Sequence, residues 1–107
     1  MTWGPAAGVD DDEHITCADL QQMVGQEPLF LLDVREPYEY AAGHIDGAVN
    51  IPLGTLQARI GELPRDVLIV CVCRSGRRSL QAAHLLRDCG YGARSLDTGM
   101  IGWSQLT

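Results

Sequence analysis

The chain has 107 residues, of which 46% are apolar and 21% charged, a composition that suits one globular domain and excludes global disorder. It is too short for two domains of ordinary size, and no apolar run approaches the ~18 residues a membrane span needs. The net charge of -6 argues against nucleic acid held by general electrostatics.

Residues 1–13 carry Gly4, Pro5, Gly8 and the acidic run Asp10 to Glu13. They read as a flexible acidic tail ahead of one domain over 14–107. No basic end or apolar stretch marks a secretory signal, which predicts a cytoplasmic protein. His14-Ile15 reads as a short first strand. Thr16 to Asp19 has a capping-box pattern, with Leu20, Met23 and Val24 at helical spacing and Gly25 as the stop. Leu29 to Val34 is an apolar run, as in a strand covered on both faces. Pro37 opens a short helix through Ala42, closed by Gly43. Ala48 to Ile51 is the next strand, stopped by Pro52. Leu53, Leu56 and Ile60 predict a helix with Gly61 just past its end. Val67 to Val72 is β-branched and uncharged, and is the most strand-like segment. Arg77 to Asp88 has a helical apolar stripe, Ala93 to Leu96 is a last strand, and Met100 to Leu106 is a short closing helix.

This alternation predicts an α/β fold with a mostly parallel sheet and helices on both faces. Sites in such sheets lie where strands end at their carboxyl side. Two strand ends are conspicuously polar: Asp33 to Glu36, and Cys73 to Ser79.

All eight basic residues are arginine, and three of them, Arg74, Arg77 and Arg78, share one loop. In an acidic chain such a loop is either a solvated cluster or a place to hold an anion. Of the four cysteines, Cys71 and Cys73 would face one way along a strand. Their spacing disfavours a disulfide, and the lack of close Cys/His partners disfavours zinc. No metal and no cofactor are expected. Cys17, Cys71 and Cys89 suit the ordinary fate of a free cysteine, a small buried hydrophobe.

Cys73 is different. It ends the strand, and Gly76 allows the loop to turn successive N–H groups inward as an anion nest. A free thiol has a pKa of about 8.5. A dominant thiolate at pH 7 requires a drop of roughly two pH units, about 2.7 kcal/mol. A helix terminus supplies ~0.3–1 kcal/mol, so nest hydrogen bonds and guanidinium charge must supply the remainder.

At this point the chain resembles the rhodanese (thiosulfate sulfurtransferase) family from about Ile15 to Trp103. Four stretches carry the resemblance: Leu32 to Glu36 with Glu39-Tyr40; Gly43 to Ala48 leading to Asn50-Ile51-Pro52; the loop Cys73 to Ser79; and the ending Gly99 to Trp103. The resemblance implies a single rhodanese-like domain, three-layered around a central five-stranded sheet. It implies that Cys73 is the catalytic cysteine, taking the outer sulfur of thiosulfate as a persulfide. Cyanide, a small thiol or a sulfur-carrier protein would accept that sulfur. Arg74 matches the position favouring thiosulfate, and a guanidinium can grip a sulfonate-like group with two donors. Arg78 matches the arginine that closes the loop. The substrate-binding set is Arg74, Ser75, Gly76, Arg77, Arg78, Ser79 and Asp33, with Arg77 at a variable position that also suits solvent. Asp33 is expected near the pocket, Arg35 in an ion pair, and His44 as a hydrogen-bonded structural histidine.

Thr98 departs from the family's first glycine in the last loop, and Cys71 stands where an aromatic residue is common. Two other readings compete. A phosphatase or arsenate reductase of related fold needs five residues between cysteine and arginine, whereas Cys73 and Arg78 have four between them. Taking Cys71 and Arg77 restores five but places the nucleophile inside the strand. A noncatalytic binding module or persulfide carrier is the other alternative, with the acidic run as its candidate partner contact.

Overall fold

A computed structural model describes residues 13–106. Residues 1–12 lie outside the described residues, and with them nearly all of the expected acidic tail. Glu13, assigned to that tail, is instead tied to the domain. Its carbonyl accepts from Ser95 N–H at 2.7 Å, and its carboxylate meets His84 at 3.0 Å.

The chain runs β1 (His14–Ile15), α1 (Cys17–Met23), β2 (Leu29–Asp33), α2 (Pro37–Ala41), β3 (Val49–Asn50), α3 (Leu53–Leu56), β4 (Leu68–Val72), α4 (Arg77–Asp88), β5 (Ala93–Leu96) and α5 (Gly99–Ser104). Strand order is β1-β5-β4-β2-β3, so β4 lies in the middle. All the strand pairings are parallel, and β2 and β4 run in register from Leu29 opposite Leu68 to Asp33 opposite Val72. No helix among the described residues is long and apolar enough to cross a membrane.

Alternation along β4 divides the core. Ile69, Cys71 and Cys73 face one layer with Leu56, Ala82, Ala83 and Leu86. Val70 and Val72 face the other with Ile15, Leu20 and Leu96. A strand covered on both sides has no polar face, which is why the segment reads as an unbroken apolar run. Thr16 caps α1 by accepting from Asp19 N–H at 3.0 Å.

Three local expectations are corrected. The segment after Pro52 makes one α-turn, and Gln57–Glu62 then tightens into a 3₁₀ helix that includes Gly61. Gly54 and β-branched Thr55 are weak helix formers, and 3₁₀ geometry is the common form of such short pieces. The third strand shrinks to Val49–Asn50, and the Asn50 side chain adds its own bonds to the neighbouring strand end. Its amide donates to the carbonyls of Asp33 at 3.0 Å and Arg35 at 2.9 Å. Cys89 is exposed rather than buried, because it caps the carboxyl end of α4, where the helix stops ahead of the turn into β5.

Thr98 adopts φ 60°, a left-handed conformation that disfavours a β-branched residue. A Cβ on Gly102 would stand 1.9 Å from Thr98 Oγ1 and 2.9 Å from Thr98 Cβ, so Thr98 occupies the space that a side chain at 102 would need. Gly102→Ala is expected to lower stability by about 1–3 kcal/mol through overpacking. Thr98→Gly in the same chain should restore most of that loss. Urea unfolding of the two single variants and the double variant measures both effects.

Candidate active site

The carboxyl end of β4 delivers Cys73 to the loop that opens α4. Gly76 turns this loop with φ 105°, immediately before the first helical residue. That conformation is open to glycine and strained for other residues. The Cys73 sulfur is met by Gly76 N–H at 3.0 Å and by Ser79 Oγ at 3.3 Å. Cys73 is only 1% exposed, yet its sulfur faces polar donors. The loop is clasped from the other side by α5, where Met100 N–H donates to the Cys73 carbonyl at 2.8 Å and Ile101 N–H to that of Arg74 at 3.1 Å.

The electrostatics follow from these contacts. Burial is the largest single influence on the Cys73 thiol and pushes its pKa up. The Ser79 hydroxyl and the N–H groups of Ser79, Gly76 and Ser75 together outweigh it and hold the thiol below its ordinary value. Cys71 is fully buried without such donors. Burial, aided by the nearby charge of Cys73, pushes its thiol far upward, which leaves it inert.

Arg78 is placed beside the loop but is already engaged. Its guanidinium grips Glu39 with two bonds, Nη1 to Oε1 at 2.7 Å and Nη2 to Oε2 at 3.0 Å. This bidentate bond from Arg78 is the chief cause that holds Glu39 down at about 2. Glu39 also accepts from Glu36 N–H at 2.9 Å, so one carboxylate caps α2 and pins the start of α4. In the sequence Glu39 stands out only as part of the Glu39-Tyr40 motif. A partner 39 residues away leaves no local signal.

Asp33 ends β2. It is fully buried, and both carboxylate oxygens are taken by Arg35, with Nε to Oδ1 at 2.9 Å and Nη2 to Oδ2 at 2.8 Å. Arg35 spends a further bond on the Gly43 carbonyl at 2.7 Å. A buried carboxylate is retained only when its oxygens are satisfied, and Asp33 meets that requirement through Arg35, which itself borders the cavity beside the loop. His44 stacks on Tyr40, with ring centres 3.7 Å apart, and its Nδ1 meets the Tyr40 carbonyl at 2.8 Å.

Arg74, Ser75 and Arg77 are exposed. Arg74 borders a cavity of about 380 Å³ with Arg35, Tyr38, Glu39, Met100 and Ile101 among its lining residues. Cys73 does not line this cavity. Arg74 is the loop arginine that faces both open space and the clasped end of α5. Ser95, which the sequence reading did not single out, stands behind Ser79 at 2.7 Å.

A parallel α/β sheet thus presents one donor-ringed sulfur at its central strand end. The comparisons give the family. The rhodanese-like domain model matches residues 16–106, and the chain belongs to the rhodanese-like domain family. It is 38% identical to a protein named sulfurtransferase from Allochromatium vinosum, over 79% of this chain and 80% of that one. It is 33% identical to the thiosulfate sulfurtransferase GlpE of Shewanella oneidensis, over 87% of this chain and 93% of that one. A solved rhodanese-related protein from Thermoplasma volcanium superposes with a TM-score of 0.83 at 31% identity, covering 88% of this chain and 92% of that one. Some longer relatives match over only 42% or 48% of their own length.

Two outcomes are expected. In a Cys89→Ser background, iodoacetamide alkylation of Cys73 should titrate with a midpoint below the ~8.5 of a free thiol, its rate falling as acid protonates the sulfur. Peptide mass mapping should find Cys71 unmodified until the protein unfolds. For Glu39, the folded state lowers the pKa from 4.5 to about 2, so its stabilisation is complete above 4.5 and is lost as pH falls toward 2. Glu39→Gln should therefore cost about 1 kcal/mol at pH 7, discounted for the partly exposed Arg78. Chemical denaturation at a series of pH values should show that difference fading between pH 4.5 and 2.

Proposed function

We propose that the protein is a thiosulfate sulfurtransferase working through a Cys73 persulfide. The observation that carries this reading is the Cys73 sulfur with Gly76 N–H at 3.0 Å and Ser79 Oγ at 3.3 Å. That environment favours a thiolate and would equally favour an anionic persulfide, because the donors bring no competing base.

In the first half-reaction the Cys73 thiolate attacks the outer sulfur of thiosulfate. The Cys73–sulfur bond forms, the sulfur–sulfur bond of the donor breaks, and sulfite leaves with the electron pair. In the second half-reaction an acceptor nucleophile attacks the outer sulfur of the persulfide, and Cys73 leaves as the thiolate. The acceptor is cyanide, a small thiol or a sulfur-carrier protein. The order is ping-pong, because the enzyme holds the group between substrates.

Arg74 is the residue we assign to the sulfonate-like end of the donor, since it is exposed at the rim beside open space. Ser75, Gly76 and Ser79 supply the anion-binding loop. Arg77 adds charge at the surface, and Arg78, held by Glu39, braces the loop. The fully buried position of Cys71 disfavours the phosphatase register, which needs that thiol as nucleophile. Work in the cytoplasm fits this reading, because thiols persist reduced there.

Intact-mass measurement tests the proposal. Incubation with thiosulfate should add the mass of one sulfur atom, cyanide should remove it, and Cys73→Ser should gain nothing. Arg74→Ala should still load sulfur but need roughly tenfold or more thiosulfate, the loss of one charged hydrogen bond at about 1.5–3 kcal/mol. An equal adduct on Cys73→Ser would refute the mechanism.

A further inference from the structure

Two fully buried hydroxyls stand in line behind Cys73. Ser79 Oγ is 3.3 Å from the sulfur and 2.7 Å from Ser95 Oγ, and Ser95 Oγ reaches the Gly76 carbonyl at 3.4 Å. Both serines are 0% exposed. Ser95 comes from β5, in the register position opposite Cys71 of β4, while Ser79 comes from the first turn of α4.

Each hydroxyl has one proton to give. Two oxygens 2.7 Å apart with no proton between them would repel, so one of this pair always donates to the other. That constraint leaves two orders. With Cys73 protonated, S–H donates to Ser79, Ser79 to Ser95, and Ser95 to the Gly76 carbonyl. With Cys73 ionised, its proton having gone to water, the sulfur needs a donor and Ser79 must turn toward it. Ser95 must then turn and donate to Ser79, giving up the Gly76 carbonyl. The contact given up is the longest of the set at 3.4 Å, so the exchange loses little. A hydroxyl that accepts a hydrogen bond is in turn a stronger donor.

We infer that Ser95 is a positioning residue: its hydroxyl donates to Ser79 and thereby commits the Ser79 proton to the Cys73 sulfur whenever that sulfur is negative. The inference rests on Cys73 being the nucleophile of the proposed reaction. In that reaction the same order serves twice, for the attacking thiolate and for the thiolate that leaves the persulfide. Other titratable groups act on this sulfur from different sides. Cys71 on β4 is held protonated, and Arg78 on α4 is neutralised by Glu39 of α2. Neither is hydrogen-bonded to the serine pair, so neither substitutes for Ser95.

The experiment is the pH dependence of Cys73 alkylation in a Cys89→Ser background, for Ser95→Ala, Ser79→Ala and the double variant. Ser95→Ala should move the midpoint up by about half to one pH unit, the size expected for one hydrogen bond. Ser79→Ala should move it further, and the double variant should match Ser79→Ala alone, since Ser95 acts only through Ser79. Ser95→Cys keeps the buried shape with a weaker donor, so it should fall between wild type and Ser95→Ala. It carries the test if the alanine variant does not fold. An unchanged midpoint in Ser95→Ala or Ser95→Cys would overturn the inference, as would additive shifts in the double variant. Sulfur loading of the wild type is read separately by mass. Failure to load would refute the proposed transfer reaction while leaving the alkylation result to judge Ser95.

Discussion

The structure turns on a contest at one sulfur atom between burial and hydrogen bonding. Cys73 is nearly enclosed, and enclosure alone drives a thiol toward its neutral form. Cys71 demonstrates that outcome two residues earlier in the same strand, fully buried and pushed far upward. At Cys73 the direction reverses because the chain turns at that point and presents N–H and hydroxyl donors. A hydrogen bond to a charged group contributes about 1.5–3 kcal/mol, against about 1.4 kcal/mol for each pH unit of displacement. A few such donors therefore suffice. The difference between a thiol pushed up and a thiol held down is the difference between a strand interior and a strand end.

The donors are useful only if the loop cannot relax, and much of the domain serves that end. The central position of β4 anchors one side of the loop between β2 and β5. The first turn of α4 is tied to α2 through Arg78 and Glu39. The start of α5 holds the carbonyls of Cys73 and Arg74. With its carbonyls engaged elsewhere, the loop directs N–H groups toward the sulfur. Charge is arranged on the same logic. Arg35 and Arg78 are paired with carboxylates, so they give structure more than anion binding, while Arg74, which borders the same cavity as Arg35, stands exposed at its rim.

The last loop shows how a local departure is absorbed. Thr98 stands in left-handed conformation, and its side chain fills the volume over Gly102. Strain at one position is accommodated by the absence of a side chain at another. The loop keeps its clasp on Cys73 despite a residue that disfavours the backbone it adopts.

Local pattern in the sequence determined the layers and the loop that holds Cys73. The run Leu68–Val72 can be satisfied only by apolar cover on both faces, the stripe of Arg77–Asp88 demands a sheet beneath it, and Gly76 three residues after Cys73 marks a turn able to aim N–H groups at the sulfur. These are interactions between chain neighbours, so spacing reports them. Tertiary structure alone decided that Asp33 is satisfied by Arg35, that Arg78 is pinned by Glu39, and that Ser95 backs Ser79. The last two pairings join residues far apart in the chain. They exist because the crossovers bring β5 beside β4 and carry α2 over to the start of α4, and no short-range periodicity encodes that. The Asp33 pairing is short in sequence, but its outcome depends on burial, which the closed sheet imposes.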